Sequence, residues 1–184
     1  MTSSEKIRQC VADIEQIRVV KYPDPRLKEA TTEIETINDD VKTLAKKMLE
    51  VMFANNGVGL ACPQVGVSVK MFVISPTFDP NDVHVYINPK IISGNKPVVE
   101  EEGCLSFPNI FCKIKRNSRL EIQATDLDGN TVTESLTGMA AKAYQHELDH
   151  LDGILLVDRM STIAKMVNRG TLAQLQEKYE KENL

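Results

Sequence analysis

Gln145-His146-Glu147-Leu148-Asp149-His150 is the stretch on which the fold and the chemistry of this chain centre. It is an HExxH motif, in which two histidines lie four positions apart with a glutamate after the first. An α-helix places positions i and i+4 on one face, so both imidazoles can reach one divalent metal ion at about 2.0–2.1 Å. The motif predicts a metal site on a helix. The alternative is a pair of hydrogen-bonded core histidines, because a bare HExxH is only moderately specific.

The residues around the motif predict a helix that is buried on most sides. The stripe that carries both histidines consists of Met139, Ala143, His146 and His150. The only polar stripe consists of Lys142, Gln145, Asp149 and Asp152. We expect this polar stripe to face water, with Asp149 solvated. Glu147 lies on a buried side, where a carboxylate needs a partner or a task.

Length and composition indicate a soluble globular protein. At 184 residues, a single catalytic domain covering residues 1–184 is expected, with an N-terminal extension at 1–16 and a C-terminal helical tail at 161–184. Hydrophobic residues make up 42% and charged residues 26% of the chain, which argues against disorder. The net charge of −4 argues against a direct nucleic-acid role.

The termini and the cysteines favour a reducing compartment without a membrane anchor. We find no apolar run of the length that crosses a bilayer, and the N-terminal region carries Glu5, Asp13 and Glu15, unlike a signal or transit peptide. A bacterial-type cytoplasm is the simplest expectation, with a processed organellar form as the alternative. The four cysteines form no CxxC pair, so we expect free thiols, with any special one acting as a ligand or nucleophile.

The order of predicted elements favours an α+β fold. Ser3 or Ser4 is expected to cap a short first helix, and Asn38, Asp39 and Asp40 offer N-caps for a second. Alternating apolar residues then predict strands, which are separated by breaks expected at Asn88-Pro89, at the Gly94–Pro97 turn and at a hairpin turn over residues 126–130. The motif helix follows, and a C-terminal helix interrupted near Gly170 ends the chain.

The source of a third metal ligand is open on spacing alone. A catalytic site commonly uses three protein ligands and leaves one position for water. The extended zinc-protease pattern would place a third histidine at 156, where this chain has Leu156, and a distant glutamate such as Glu177 lies in a charged tail. Cys104 is the competing candidate, because a thiolate with two imidazoles suits zinc or ferrous iron. His84 is a second candidate in an ordinary strand segment.

Three separated stretches, taken together and in this order, resemble the signature motifs of the peptide deformylases. They are Gly57-Val58-Gly59-Leu60-Ala61-Cys62-Pro63-Gln64, then Glu102-Gly103-Cys104-Leu105-Ser106, then Gln145 to His150. The similarity extends from about Ile17 to Ser161 and includes the Tyr22–Leu27 segment, Tyr-Pro-Asp-Pro-Arg-Leu. Three motifs in the right order are far more specific than any one alone.

The resemblance implies a peptide-deformylase-like fold, with short antiparallel or mixed sheets around the motif helix, a helix before them and a helix after them. It implies that Cys104, His146 and His150 bind one divalent metal ion, with Fe²⁺ favoured and Zn²⁺ as the alternative. Glu147 would be the general acid/base, while the Gln64 amide and the Leu105 N–H would stabilise the oxyanion. The reaction would be hydrolysis of the formyl group from N-terminal formyl-methionine by a metal-activated water.

The same resemblance implies where a substrate binds and which partners to expect. The backbone of Gly57, Val58, Gly59 and Leu60 and that around Gly103 would flank an extended peptide. Our own addition is that Met139 and Ala143, on the ligand stripe, form walls of a pocket for the methionine side chain. N-formylmethionyl nascent peptides are the expected partners, and the ribosome near its exit tunnel is a further candidate.

Two residues depart from the family pattern. Cys62 stands where relatives commonly have alanine, and we interpret it as a small buried thiol. Phe111 stands at about the position of an arginine that steadies the substrate backbone in many bacterial members, which leaves peptide anchoring or length preference open. The competing hypotheses are a zinc endopeptidase and a catalytically silent peptide- or ribosome-binding relative.

Overall fold

A computed structural model describes residues 1–183, so the last residue of the expected 161–184 tail lies outside the described residues. The helices are α1 (Ser3–Ala12), α2 (Asp39–Ala54), α3 (Gly138–Leu151), α4 (Leu156–Arg159), α5 (Thr162–Val167) and α6 (Arg169–Glu182). The strands are β1 (Gly59–Ala61), β2 (Met71–Ile74), β3 (His84–Cys104), β4 (Phe107–Thr125) and β5 (Thr131–Thr137). Two helices before the strands and four after them confirm the predicted α+β class.

The five strands form one antiparallel sheet in the order β1-β2-β3-β4-β5. Its largest part is the ladder between β3, with 21 residues, and β4, with 19. β1 is an edge strand, so one side of its backbone is available for pairing. The predicted hairpin turn at residues 126–130 is confirmed, since it joins β4 to β5 and Asp126 N–H donates to Asn130 O at 3.0 Å.

Two strand breaks that the sequence predicted are wrong. β3 continues through Asn88-Pro89 and through Gly94–Pro97, because β4 pairs with the residues on both sides of the first site and with Gly94, Asn95 and Pro97 at the second. The chain absorbs both sites locally: Asn88 and Lys96 adopt left-handed φ angles of 49° and 54°, and the register shifts between Ile87 and Lys90. Turn residues therefore mark irregular points within one long strand here.

The predicted alternating strand over Val67–Val73 is shorter than expected. β2 begins at Met71, and its four residues are all buried, because both faces of the strand are covered. Val67 and Val69 precede it in an irregular segment, where the Val67 N–H donates to Cys62 O at 3.0 Å.

The observed N-cap residue agrees with the predicted one for two helices and differs from it for one. Asn38 caps α2 by accepting from the Val41 N–H at 3.1 Å, and Ser161 caps α5. The cap of α1 is Thr2 instead of Ser3 or Ser4, because Thr2 and Glu5 form a reciprocal capping box. The expected interruption of the C-terminal helix occurs at Asn168, two residues before Gly170.

Helices α2 and α3 pack on the sheet through separate core clusters. α2 contributes Leu44, Met48 and Met52 to one of them. α3 contributes Tyr144 to the other, in which its ring meets Phe72 at 5.0 Å and Tyr86 at 5.1 Å between centroids. This aromatic group fixes α3 on β2 and β3, and thereby fixes the helix that carries the HExxH motif.

Among residues 1–183, no helix combines the length and the apolar character that a bilayer crossing requires.

Phe72→Ala is expected to lower the free energy of unfolding by about 3–5 kcal/mol, because it removes a fully buried ring from beneath α3. Chemical denaturation measures the change. Phe78→Ala is the matched control, since Phe78 is 44% exposed, and a loss of no more than about 1 kcal/mol is expected. Equal losses in the two variants would contradict the role given to Phe72.

Candidate metal centre and cleft

Three metal-ligating side chains converge where α3 meets the end of β3. Their ligand atoms, from Cys104, His146 and His150, all lie within 4.8 Å of one another. The Cys104 Sγ is 3.3 Å from the His150 Nε2, and the two imidazole centroids are 5.1 Å apart. Within residues 1–183, the group that could hold an ion at this place has these three members.

The donor set fits a divalent ion with one open position. Metal–sulfur bonds of about 2.3 Å and metal–nitrogen bonds of about 2.0–2.1 Å in tetrahedral geometry separate two ligand atoms by roughly 3.5 Å. The 3.3 Å separation of Cys104 Sγ and His150 Nε2 is close to this value. Sulfur with two imidazole nitrogens suits zinc or ferrous iron, and three protein ligands leave a position for solvent.

The structure separates the other candidate ligands from this group. Leu156 is buried in the cluster formed with β4 and cannot ligate. Glu177 is exposed on α6. His84 begins β3 and its Nε2 lies 3.0 Å from Asp82. The extended zinc-protease arrangements therefore lack a third ligand here.

Glu102 fixes the orientation of His146. Its Oε2 lies 3.0 Å from the His146 Nδ1, and its two oxygens accept from the Arg116 Nε and Nη2 at 2.9 and 3.0 Å. Burial opposes ionisation, but the hydrogen bonds from His146 and Arg116 prevail and lower the pKa of Glu102 to about 2. An ionised Glu102 holds the proton of His146 on Nδ1, which leaves the Nε2 lone pair for a metal.

Asp149 corrects the expectation that the polar stripe of α3 faces water. Asp149 is only 8% exposed, and it accepts from the Arg116 Nη1 at 2.6 Å and from the Arg159 Nη2 at 2.5 Å. Gln145 is also buried, because its side chain bonds to the backbone N–H and C=O of Asn117 at 3.0 and 2.8 Å. This part of the polar stripe therefore faces the interior, where its side chains bond to residues of β4 and α4.

Glu102, Arg116 and Arg159 were not singled out as site residues by the sequence analysis. Glu102 had a visible signal, because it directly precedes Gly103 and Cys104 in a quoted motif. Arg116 and Arg159 lie 33 and 10 residues from Asp149 and carry no local pattern. Only the strand register and the packing of α4 bring them together.

Glu147 is a buried carboxylate with an unused oxygen. It is 4% exposed, and its Oε2 has no hydrogen-bond partner among the described residues. Burial raises the pKa of Glu147 to about 7. Its other oxygen rests against Gly59, where an added Cβ would overlap the carboxylate. This group is placed to accept and return a proton near neutral pH.

The environment of Cys104 favours the thiolate. Burial opposes ionisation, but the adjacent His150 and His146 outweigh it and hold the pKa of the Cys104 thiol well below its usual value. A thiolate is the form that ligates a metal ion. Cys62, by contrast, is fully buried against Met48, and burial raises the pKa of its thiol.

Gln64 and the turn after Cys104 are held in a fixed relation. The Gln64 Oε1 accepts from the Ala61 N–H at 2.8 Å, and its Nε2 donates to the Ser106 Oγ at 3.2 Å and lies 3.5 Å from the Cys104 Sγ. The Lys21 ammonium donates to the Leu105 carbonyl at 2.7 Å. The amide of Gln64 is therefore oriented toward the metal-ligating group.

A cleft of about 570 Å³ leads to these residues. The site residues expected from the sequence that line it are Gly57, Val58, Gly59, Gln64, Gly103, Cys104, Leu105, Met139, Ala143, His146 and Glu147. Leu60 lies outside the lining, because its side chain packs in the core with α2. His150 is only 1% exposed and, like Leu60, lies outside the lining.

Comparisons with known proteins agree on one family. The family model described as polypeptide deformylase matches residues 16–166. Peptide deformylase 1B, chloroplastic, of rice is 40% identical over 167 residues, which are 89% of this chain and 62% of the rice protein. Peptide deformylase of Thermodesulfovibrio yellowstonii is 40% identical over 83% of this chain and 94% of its own length.

A solved structure gives the same result for the fold. A plant peptide deformylase, PDF1B, superposes with a TM-score of 0.88 at 37% identity, covering 91% of this chain and 92% of its own. The chain thus spans nearly the whole of that structure and of the bacterial relative, but less than two thirds of the rice protein.

Glu102→Gln is expected to weaken metal binding about 10- to 100-fold, because the variant loses the charge that holds His146 and pairs with Arg116. Competition with a chromophoric chelator measures the affinity. Glu121→Gln removes an exposed carboxylate from β4 and serves as the control, with unchanged affinity expected. An unchanged affinity in the Glu102 variant would refute its positioning role.

Gly59→Ala is expected to displace the Glu147 carboxylate, because the new methyl group occupies its position. In the activity proposed below, turnover should fall at least about tenfold while the metal content stays near that of the native protein. Gly170→Ala, at a helical position with open space around it, should keep full activity. A fully active Gly59 variant would show that Glu147 does not need its observed position.

Proposed function

The chain belongs to the polypeptide deformylase family, and on that premise we propose that it hydrolyses the formyl group from the N-terminal formyl-methionine of newly made polypeptides. The observation that carries the proposal is the convergence of Cys104, His146 and His150 beside the buried carboxylate of Glu147 at one end of an open cleft. A formamide is a small amide, and its hydrolysis needs a nucleophile, an acceptor for charge on oxygen and a proton donor for the amine.

Cys104, through Sγ, and His146 and His150, through their Nε2 atoms, would hold one divalent ion. When bound, such an ion lowers the pKa of a coordinated water and so supplies a nucleophile near neutral pH. We propose ferrous iron as the native ion with zinc as the alternative, since the mixed sulfur and nitrogen donor set suits both. Thiolate ligation also makes Cys104 an oxidation-sensitive position.

Glu147 would act as general acid and base. Its unpartnered Oε2 can accept the proton of the attacking water, and the same carboxyl can then return it to the departing amine nitrogen. A pKa of about 7 suits both directions of transfer near neutral pH.

Gln64 and Leu105 would stabilise the charge that develops on the formyl oxygen. The Gln64 amide is oriented by the Ala61 N–H, and the N–H that lies 3.5 Å from the Cys104 Sγ makes only a weak contact there. That N–H is available to an oxyanion. The backbone N–H of Leu105 is the second donor that the family resemblance assigns, and one such donor is typically worth about 3 kcal/mol.

The substrate would bind as an extended strand along the cleft. β1 is at the edge of the sheet, so the backbone of Gly57 to Leu60 can pair with a peptide. The backbone of Gly103, against which the Phe111 ring rests, would form part of the other wall. Met139 and Ala143 line the cleft near His146 and would form walls for the methionine side chain.

The substrate also suggests where the enzyme acts. N-formylmethionyl chains exist while and shortly after they are made, so we place the activity near the ribosome. The relatives include a bacterial and a chloroplastic protein. We therefore propose a bacterial-type cytoplasm, with an organelle that makes formylated chains as the alternative.

Glu147→Gln is expected to lower kcat for formate release from a formyl-Met peptide about 10²- to 10⁴-fold, because the variant cannot carry the proton. Bound metal, measured by elemental analysis on protein prepared without oxygen, should stay at one ion per chain. Glu177→Gln changes an exposed carboxylate on α6 and should leave kcat unaltered. A variant at Glu147 that turns over at the native rate would refute the role assigned to Glu147. Absence of turnover in metal-replete native protein would refute the proposed function.

A further inference from the structure

Phe111 is an exposed aromatic side chain at the wall of the cleft. It is 63% exposed, whereas its neighbours on β4, Ile110 and Cys112, are 0% and 5% exposed. Strand alternation sends Phe111 to the outer face of the β3–β4 ladder, where it lines the cleft instead of the core. In this position the ring exposes apolar surface to water, and a bound ligand could cover that surface.

The position of the ring is set by Gly103. The two residues are register partners, and a Cβ added at Gly103 would lie only 2.7 Å from the Phe111 Cε1. The ring therefore rests across the glycine backbone, one residue before the ligand Cys104. A larger residue at position 103 would push the ring away.

This placement is within reach of the first residues of an extended substrate. An extended chain advances about 3.4 Å per residue and lies about 4.8 Å from a paired strand. A peptide whose formyl group is at Cys104 and Glu147 thus passes Gly103 within its first two or three residues. With the methionine side chain at the walls proposed for Met139 and Ala143, Phe111 would meet the residues that follow it.

The charged residues next to Phe111 on the β3–β4 ladder carry both signs. The next register pair on the same face is Glu101 with Lys113, and both are exposed. Their opposite charges offset each other, so the apolar ring is the feature of this wall that discriminates between side chains. The apolar wall is also continuous with the cleft that leads to the metal ligands.

We propose that Phe111 is a specificity-determining residue that binds apolar side chains directly following the formyl-methionine. The preferred substrates are formylated peptides with an apolar second or third residue. The inference rests on the proposed function, and it adds the class of peptide that this site takes.

The test compares three substrates: formyl-Met-Leu-Leu, formyl-Met-Ser-Ser and formyl-methionine amide, which ends before the proposed contact. The metal-loaded native protein should favour the leucine peptide over the serine peptide by about three- to tenfold in kcat/KM. Phe111→Ala should abolish this preference by raising KM for the leucine peptide, with kcat and the turnover of formyl-methionine amide unchanged. Phe111→Leu should retain most of the preference.

Val99→Ala is the matched control, because Val99 is 61% exposed on the same face of β3 but lies outside the cleft lining. It should behave as the native protein does. A native protein without preference for the leucine peptide, or equal losses on all three substrates in Phe111→Ala, would overturn the proposal.

The two proposals fail in different ways. If the native protein releases no formate from any of the three substrates, the proposed function fails. The role of Phe111 is then decided by binding alone, measured as fluorescence anisotropy of the labelled leucine and serine peptides. Equal binding of the two peptides, or binding unaffected by Phe111→Ala, would overturn it.

Discussion

The buried ion network of Glu102, Arg116 and Asp149 is the interaction on which the site depends. Two of the candidate metal ligands lie on α3 and the third ends β3, so the helix and the strand must be held in one relation. Arg116 of β4 does this by bonding to Glu102 of β3 and to Asp149 of α3 at 2.6–3.0 Å. Removing one partner of such a buried ion pair leaves an uncompensated buried charge. This typically lowers the free energy of unfolding by about 3–5 kcal/mol.

The sequence predicted the class of fold because its strongest signals are local. Asn38 caps α2, apolar spacing defines α2 and α3, and the 126–130 turn joins two strands, each within a few residues of chain. The length of β3 could not be read in the same way. Asn88-Pro89 and Gly94–Pro97 contain residues that are typical of strand ends. The strand nevertheless continues past both sites, because it pairs with β4, which is distant in sequence.

The same distinction holds for the site. Cys104, His146, Glu147 and His150 were predicted from motifs, and the structure brings the three candidate metal ligands among them together. Asp149 was misread, because helical periodicity shows that a residue is polar but not whether its partner is water or an arginine from another element. The roles of Arg116 and Arg159 were not predicted for the same reason, because tertiary packing determines their partners. Glu147 is a buried carboxylate whose Oε2 has no hydrogen-bond partner within residues 1–183, an arrangement that costs stability and that the proposed proton transfer would explain.

The central claim is that one sulfur and two nitrogens of this chain share an ion that keeps a position for solvent. X-ray absorption spectroscopy of the protein, purified without oxygen and loaded with one equivalent of zinc or ferrous iron, tests it most directly. We expect one sulfur at about 2.3 Å, two imidazole nitrogens at about 2.0–2.1 Å and one further light atom from solvent. A spectrum without sulfur, or one with four protein ligands, would contradict it.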